Sequence, residues 1–165
     1  MDTNVLVSGL LSPHGLPATV VDLVGSGAHR VCFDGRVLAE YRDVLTRPRL
    51  SLPLDGVETV LARLSTNGLR LAATPLDTTL PDPGDQPFLE VAVAAKVDYL
   101  ITGNLKHFPP ELCHGIAVVS PREFLAAIRD GASSRQGFLV GQVVVPDDFD
   151  RMGESEIQDM FTDEP

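Results

Sequence analysis

The chain has 165 residues, 44% hydrophobic and 22% charged, with a net charge of −10. That length suits one domain able to bury roughly 70% of its unfolded surface, and the composition is ordinary for a soluble globular protein. No apolar run approaches the ~20 residues that span a bilayer, and no basic-then-apolar signal segment opens the chain, so a cytoplasmic protein is expected. Cys32 and Cys113 are isolated thiols beside apolar residues, which points to buried free cysteines rather than a disulfide.

The charge is unevenly spread. Residues 1–132 hold 11 Lys/Arg against 15 Asp/Glu, whereas residues 133–165 hold Arg135 and Arg151 against eight acids. Phosphate neutralisation by Lys and Arg supplies most non-specific affinity for nucleic acid. An acidic chain is a poor binder of that kind, so a nucleic-acid role requires a specific site.

In chain order, NVLVS (4–8) reads as the end of a strand, LPATVVDLV (16–24) as a helix and HRVCF (29–33) as a strand. Asp34 is placed to cap a helix over 35–46, where Val37, Leu38, Tyr41 and Leu45 recur at helical spacing until Pro48 stops it. Val57, Val60, Leu61 and Leu64 mark the next amphipathic helix, which ends near Asn67-Gly68 and leads to the short strand LRLAA (69–73). After a turn-rich segment, Phe88, Leu89, Val91, Ala92 and Ala95 form the inward face of another helix. Strand DYLIT, the NLKHFPP loop, strand IAVV (116–119) and helix PREFLAAIRD follow. Short, wholly apolar strands alternating with helices predict an α/β fold, with a mostly parallel sheet covered on both faces. GASSRQG (131–137) breaks the pattern and reads as a linker, giving a domain over 1–131, a linker over 132–137 and a tail over 138–165.

Open α/β sheets build their sites at the carboxyl ends of strands. Asp2, Glu40, Asp85 and Asn104 each stand at an element end or in the first turns of a helix. Singly, each has a plainer reading: a terminal residue, a solvated helix residue, an N-cap and a turn former. Jointly they suggest an acidic cluster. Three carboxylates within ~5 Å would repel by about 3 kcal/mol per pair at an effective dielectric of ~20, which a hard dication relieves. Oxygen donors without a His or Cys set suit Mg2+ or Mn2+. Such an ion can activate water for in-line attack on phosphorus.

At these residues the sequence resembles the PIN-domain family of metal-dependent ribonucleases, which includes many toxins of toxin–antitoxin pairs. MDTNVLVSGLL, LAEYRDVLTRPRL, DPGDQPFLEVAVAAKVDYLITGN and IAVVSPREFLAAI carry the resemblance in family order across nearly all of residues 1–130. It implies a three-layer α/β/α sandwich with a central, mostly parallel sheet, and a homodimer. It also implies that Asp2, Glu40 and Asp85 are metal ligands for Mg2+ or Mn2+, with Thr3, Asn4 and Thr102 as polar supports. Asn104 stands where the family often has a fourth acid; an Asn can ligate through its carbonyl oxygen or orient a water but brings no charge. The family usually has a few apolar residues before the first Asp. Here only Met1 precedes it, so the expectation is either a central strand built only from residues 1–7 or a trimmed start. Arg36, Arg42, Arg47, Arg49 and Lys106 flank the acids in sequence, and Arg42 and Lys106 are the expected RNA contacts. His107, three residues after Asn104, is a candidate to help with substrate, a surface histidine being the plainer account, and no His spacing suggests zinc.

In the tail, Ile157, Met160 and Phe161 form a short apolar stripe on an acidic helix candidate. It resembles the toxin-binding segments of some antitoxins. The expectation is an inhibitory or interaction arm that covers the acids in the same or a neighbouring subunit, with Arg135 or Arg151 standing in for the metal's charge. The leading function is RNA cleavage. The alternative is a catalytically weakened PIN-like binding module acting in protein assembly, to which Asn104 and the short start point. A receiver-type phosphoacceptor lacks support, because no adjacent acid pair ends the first strand.

Overall fold

A computed structural model describes the backbone of residues 1–134 and the side chains of residues 1–130. The chain divides into two units, Met1–Ala126 and Ala127–Pro165, and the fold and site below belong to the first. The tail call over 138–165, with Arg135 and Arg151, lies outside the described residues.

Helices α1 (Thr3–Leu11) and α2 (Leu16–Gly25) open the chain, followed by β1 (Cys32–Phe33), α3 (Gly35–Leu45), α4 (Leu54–Asn67) and β2 (Leu69–Arg70). Then come α5 (Gln86–Ala95), β3 (Tyr99–Ile101), β4 (Ala117–Val119) and α6 (Pro121–Ser134). Single 3₁₀ turns span Pro48–Leu50, Pro83–Asp85, Leu105–His107 and Pro110–Leu112. No described helix is long and apolar enough to cross a membrane.

The first correction concerns NVLVS, which is helical. Asp2 is the N-cap of α1 and its carboxylate accepts from the Asn4 N–H, while Thr3, Val5, Leu6 and Gly9 turn inward. A short apolar run fits strand and helix equally; here the cap and the longer run to Leu11 decide for helix. The strand expected from residues 1–7 is reduced to one backbone bond, from the Asp2 N–H to the Ile101 carbonyl at 2.8 Å.

The expected α/β alternation is present. Its strands are much shorter than the apolar runs, and among the described residues they pair as two separate two-stranded parallel ladders, β1 with β2 and β3 with β4. Each ladder continues by single bonds past its ends: Leu69 and Leu71 N–H to the Val31 and Phe33 carbonyls, and Thr102 N–H to the Val119 carbonyl.

Helix α3 begins as its sequence predicts, with the Asp34 carboxylate accepting from the N–H groups of Arg36 and Val37. Its buried residues Val37, Tyr41 and Leu45 join Leu6, Leu61, Leu64, Phe88, Leu89 and Leu100 in one core. Helix α5 buries Glu90 as well as its apolar face. That acid is compensated: Arg36 reaches it at 2.5 Å while also holding Asp34 at 2.7 Å, and the Leu76 N–H donates to Glu90 at 3.2 Å. Burial pushes the Asp34 carboxyl up, but the Val37 N–H and the Arg36 guanidinium outweigh it and hold it below the usual range.

The close approach of α1 and α2 depends on Gly9, where a Cβ would lie 2.7 Å from a Val21 methyl and 2.9 Å from the Pro17 carbonyl. Cys32 and Cys113 are free thiols, as expected; Cys113 is buried and Cys32 half-buried. Helix α6 continues through Ser134, so GASS, the start of the expected linker, is helical.

Candidate active site

Asp2 lies where the N-terminus of α1 meets the end of β3, and it is 5% exposed. Its Oδ2 accepts hydrogen bonds from the Asn4 side-chain amide at 2.7 Å and the Thr102 hydroxyl at 2.6 Å. Oδ1 accepts only the longer 3.3 Å bond from the Asn4 N–H. Asn4 is itself held, because its Oδ1 accepts the Gly103 N–H at 2.9 Å. Thr102 is fully buried, and its oxygen also accepts the Asn104 N–H at 3.0 Å. The polar turn after β3 is therefore what orients the carboxylate of Asp2.

Glu40 projects from α3, and its Oε1 accepts the Thr3 hydroxyl at 2.8 Å. The adjacent Tyr41 is buried, with its hydroxyl donating to the Met1 carbonyl. Burial pushes the Glu40 carboxyl above the usual range; the Thr3 bond opposes this and the charge of Asp2 adds to it. Burial likewise raises the Tyr41 phenol, helped by Asp2 and Glu40.

Asp85 ends the 3₁₀ turn before α5, yet its side chain makes no capping bond. Asp82 caps that turn instead, accepting from the Gly84 N–H at 2.8 Å. The freed Asp85 carboxylate accepts through Oδ2 from His107 Nδ1 at 2.7 Å. The far ring nitrogen, Nε2, meets the Asn104 side-chain amide nitrogen at 2.7 Å. Burial and then the charge of Asp2 push the Asp85 carboxyl up, against the pull of His107. Asp2 therefore acts electrostatically on both Glu40 and Asp85.

One tight ligand-type group occurs among the described residues: Asp82, Asp85 and His107, with atoms all within 4.8 Å of one another. Asp2, Glu40 and Asp85 do not form so tight a set. Sequence reading left Asp82 unassigned and favoured the surface for His107. His107 is 37% exposed in its side chain, but both its ring nitrogens are engaged in the site. The available signals were the spacings D-x-x-D (82–85) and N-x-x-H (104–107), which neither composition nor periodicity singles out.

The flanking cations have divided roles. Arg36 holds Asp34 and Glu90. Arg47 pairs with Asp43, and Arg42 makes two 3.1 Å bonds to Glu58 on an exposed surface. Lys106 is exposed in the turn between Asn104 and His107. An open groove of about 330 Å³ adjoins the site, lined by Asn4, Ser8, Gly103, Asn104 and Pro121 among others.

A family model described as PIN domain matches residues 1–106. The chain belongs to the PIN-domain family. No curated protein and no solved structure matches it. PIN domains are α/β proteins, commonly nucleases, and usually use divalent metal ions. The matched region of this PIN domain includes Asp2, Glu40, Asp85 and Asn104 and stops one residue before His107.

Proposed function

We propose that this PIN domain is a Mg2+- or Mn2+-dependent ribonuclease in which Asp2, Glu40 and Asp85 hold the ion. One observation carries the reading: among the described residues each acid has one oxygen held by a side-chain donor and a second that accepts no side-chain bond, Oδ1 of Asp2 taking only the 3.3 Å bond from the Asn4 N–H. Asp2 is anchored through Oδ2 by Thr102 and Asn4, Glu40 through Oε1 by Thr3, and Asp85 through Oδ2 by His107. The remaining oxygens, Oδ1 of Asp2, Oε2 of Glu40 and Oδ1 of Asp85, are the candidate ligand atoms.

The donor set fits a hard dication. Its atoms are carboxylate oxygens, and Glu40 and Asp85 are raised partly by the charge of Asp2, a repulsion that a cation reverses. A spacing wider than a closed cage also fits, since Mg2+ keeps several waters and takes only one or two carboxylates directly. Bound there, such an ion supplies an acidified water and offsets charge on the phosphoryl oxygens. The protein's own part is orientation. Thr102, Asn4 and Thr3 fix the carboxylates, and α1 and β3 fix those residues in turn. Lys106 is an exposed cation available to an RNA phosphate, whereas Arg42 would first have to leave Glu58.

The same reading extends to a toxin-type nuclease in a three-layer α/β/α domain, active in the cytoplasm as a homodimer. Either an antitoxin protein or the acidic residues 138–165 would act as inhibitor. The support is the family membership together with the charge imbalance of the chain.

Asp85→Asn tests the assignment, because it removes a ligand charge at nearly constant volume. Metal-dependent RNA cleavage should fall by about 100-fold or more, with an unchanged circular dichroism spectrum. Cleavage equal to wild type would count directly against it. A second reading, a catalytically weakened PIN-like assembly module, draws on Asn104, whose uncharged amide faces His107 where the resemblance places a fourth acid. Calorimetric titration with Mn2+ separates the two, since a module of that kind need not bind the ion.

A further inference from the structure

We propose that His107 is the positioning residue of Asp85: it donates from Nδ1 to Oδ2 and thereby aims Oδ1 of that carboxylate into the site. The inference rests on the proposed function and adds a residue outside the matched family region. Four observations support it. Asp85 receives no bond from its own helix, so its orientation must come from elsewhere. The 2.7 Å contact joins His107 Nδ1 to an acceptor, so that nitrogen carries the proton. The other nitrogen lies 2.7 Å from the Asn104 amide nitrogen, a donor, and this contact is met by the same tautomer, with Nε2 accepting. Finally, the ring is carried on a short 3₁₀ turn closed by the His107 N–H to the Asn104 carbonyl at 3.2 Å, and the next residue, Phe108, is buried in the core.

Asn104 gains a role in this arrangement. Its backbone N–H is held by the Thr102 hydroxyl that also holds Asp2, so a chain of hydrogen bonds runs from Asp2 through Thr102, Asn104 and His107 to Asp85. Two carboxylates distant in sequence are oriented by one connected set of donors. An amide at position 104 serves this better than an acid would, because a carboxylate facing Nε2 would draw the imidazole proton away from Asp85.

The full chain is used for the test. In ¹⁵N-labelled, metal-free protein at pH 8, the His107 ring should show Nδ1 in the protonated range of nitrogen shifts. An unprotonated Nδ1 leaves nothing to donate to Asp85 and overturns the inference. His107→Ala should weaken Mn2+ binding by calorimetry about tenfold, the lower end of what loss of an outer partner costs. His107→Asn places an amide N–H where Nδ1 stood and should restore binding to within threefold of wild type. His107→Gln, with its amide one bond farther out, should remain as weak as the alanine variant. Equal affinity in wild type and His107→Ala, or equal rescue by Asn and Gln, also overturns it. If the wild type itself binds no Mn2+ and Asp85→Asn cleaves normally, the proposed function fails. A failure confined to the His107 tautomer or variants removes only this inference.

Discussion

The Thr102 hydroxyl donates a 2.6 Å hydrogen bond to Asp2 Oδ2, joining the end of β3 to the cap of α1 across 100 positions of sequence. Thr102 is fully buried and Asp2 nearly so, which places this bond in a low-dielectric setting. Thr102→Val keeps the shape but removes a donor to Asp2 and the acceptor of the Asn104 N–H. We expect a loss of roughly 1–3 kcal/mol in urea unfolding, the cost of leaving buried polar groups short of partners. An unchanged urea midpoint would show that the bond contributes nothing.

Glu40 should make the metal-free chain sensitive to pH. Its carboxyl is raised in the fold above its ordinary value of 4.5, chiefly by burial. The folded state then holds the proton more tightly than the unfolded state does. The resulting stability is fully present below the ordinary value and is lost as pH rises through the raised one. Compared with Glu40→Gln in EDTA, the wild type should therefore fall behind in stability as pH rises above the ordinary value of 4.5 and through the raised one. Added Mg2+ or Mn2+ should narrow the gap at the upper end. A gap constant with pH would contradict the shift.

Arg36 neutralises two buried acids from a half-exposed position. Arg36→Met would strand Asp34 and Glu90 in a low-dielectric environment. Breaking a fully buried pair costs 3–5 kcal/mol, and the 45% exposure of Arg36 reduces this to roughly 2 kcal/mol. Removing both partners should be milder: the double variant Arg36→Met with Glu90→Gln should recover part of the loss. Urea midpoints of the single and double variants measure it.

At Gly9 two effects oppose each other. Alanine is the better helix former by about 1 kcal/mol. A Cβ there, however, would stand 2.7 Å from a Val21 methyl and 2.9 Å from the Pro17 carbonyl, and the second is backbone that cannot simply turn aside. Overpacking of this kind costs about 1–3 kcal/mol, so Gly9→Ala should destabilise by about 1 kcal/mol net. A more stable variant would show that α1 and α2 can separate freely.

Local rules carried much of the element reading. Asp34 before a 3.6-residue apolar repeat gave α3, and Asn67-Gly68 marked the end of α4. They failed at NVLVS, because three adjacent apolar residues lack a period and the deciding cap lies outside them. They failed again at His107, whose partners Asp85 and Asn104 are collected by two separate 3₁₀ turns.

By itself, the sequence determined the α/β alternation, the free cysteines and the membership in a family of nuclease type, since each depends on residue identity and near-neighbour spacing. Which oxygen of each acid is anchored, which donor anchors it, and that Asp85 is released from capping its own helix were decided only in three dimensions. Hydrogen bonds act over about 3 Å in space, whatever the distance along the chain. Only the packing of α1 against the end of β3, and of the turn carrying His107 against the start of α5, brings those donors within reach.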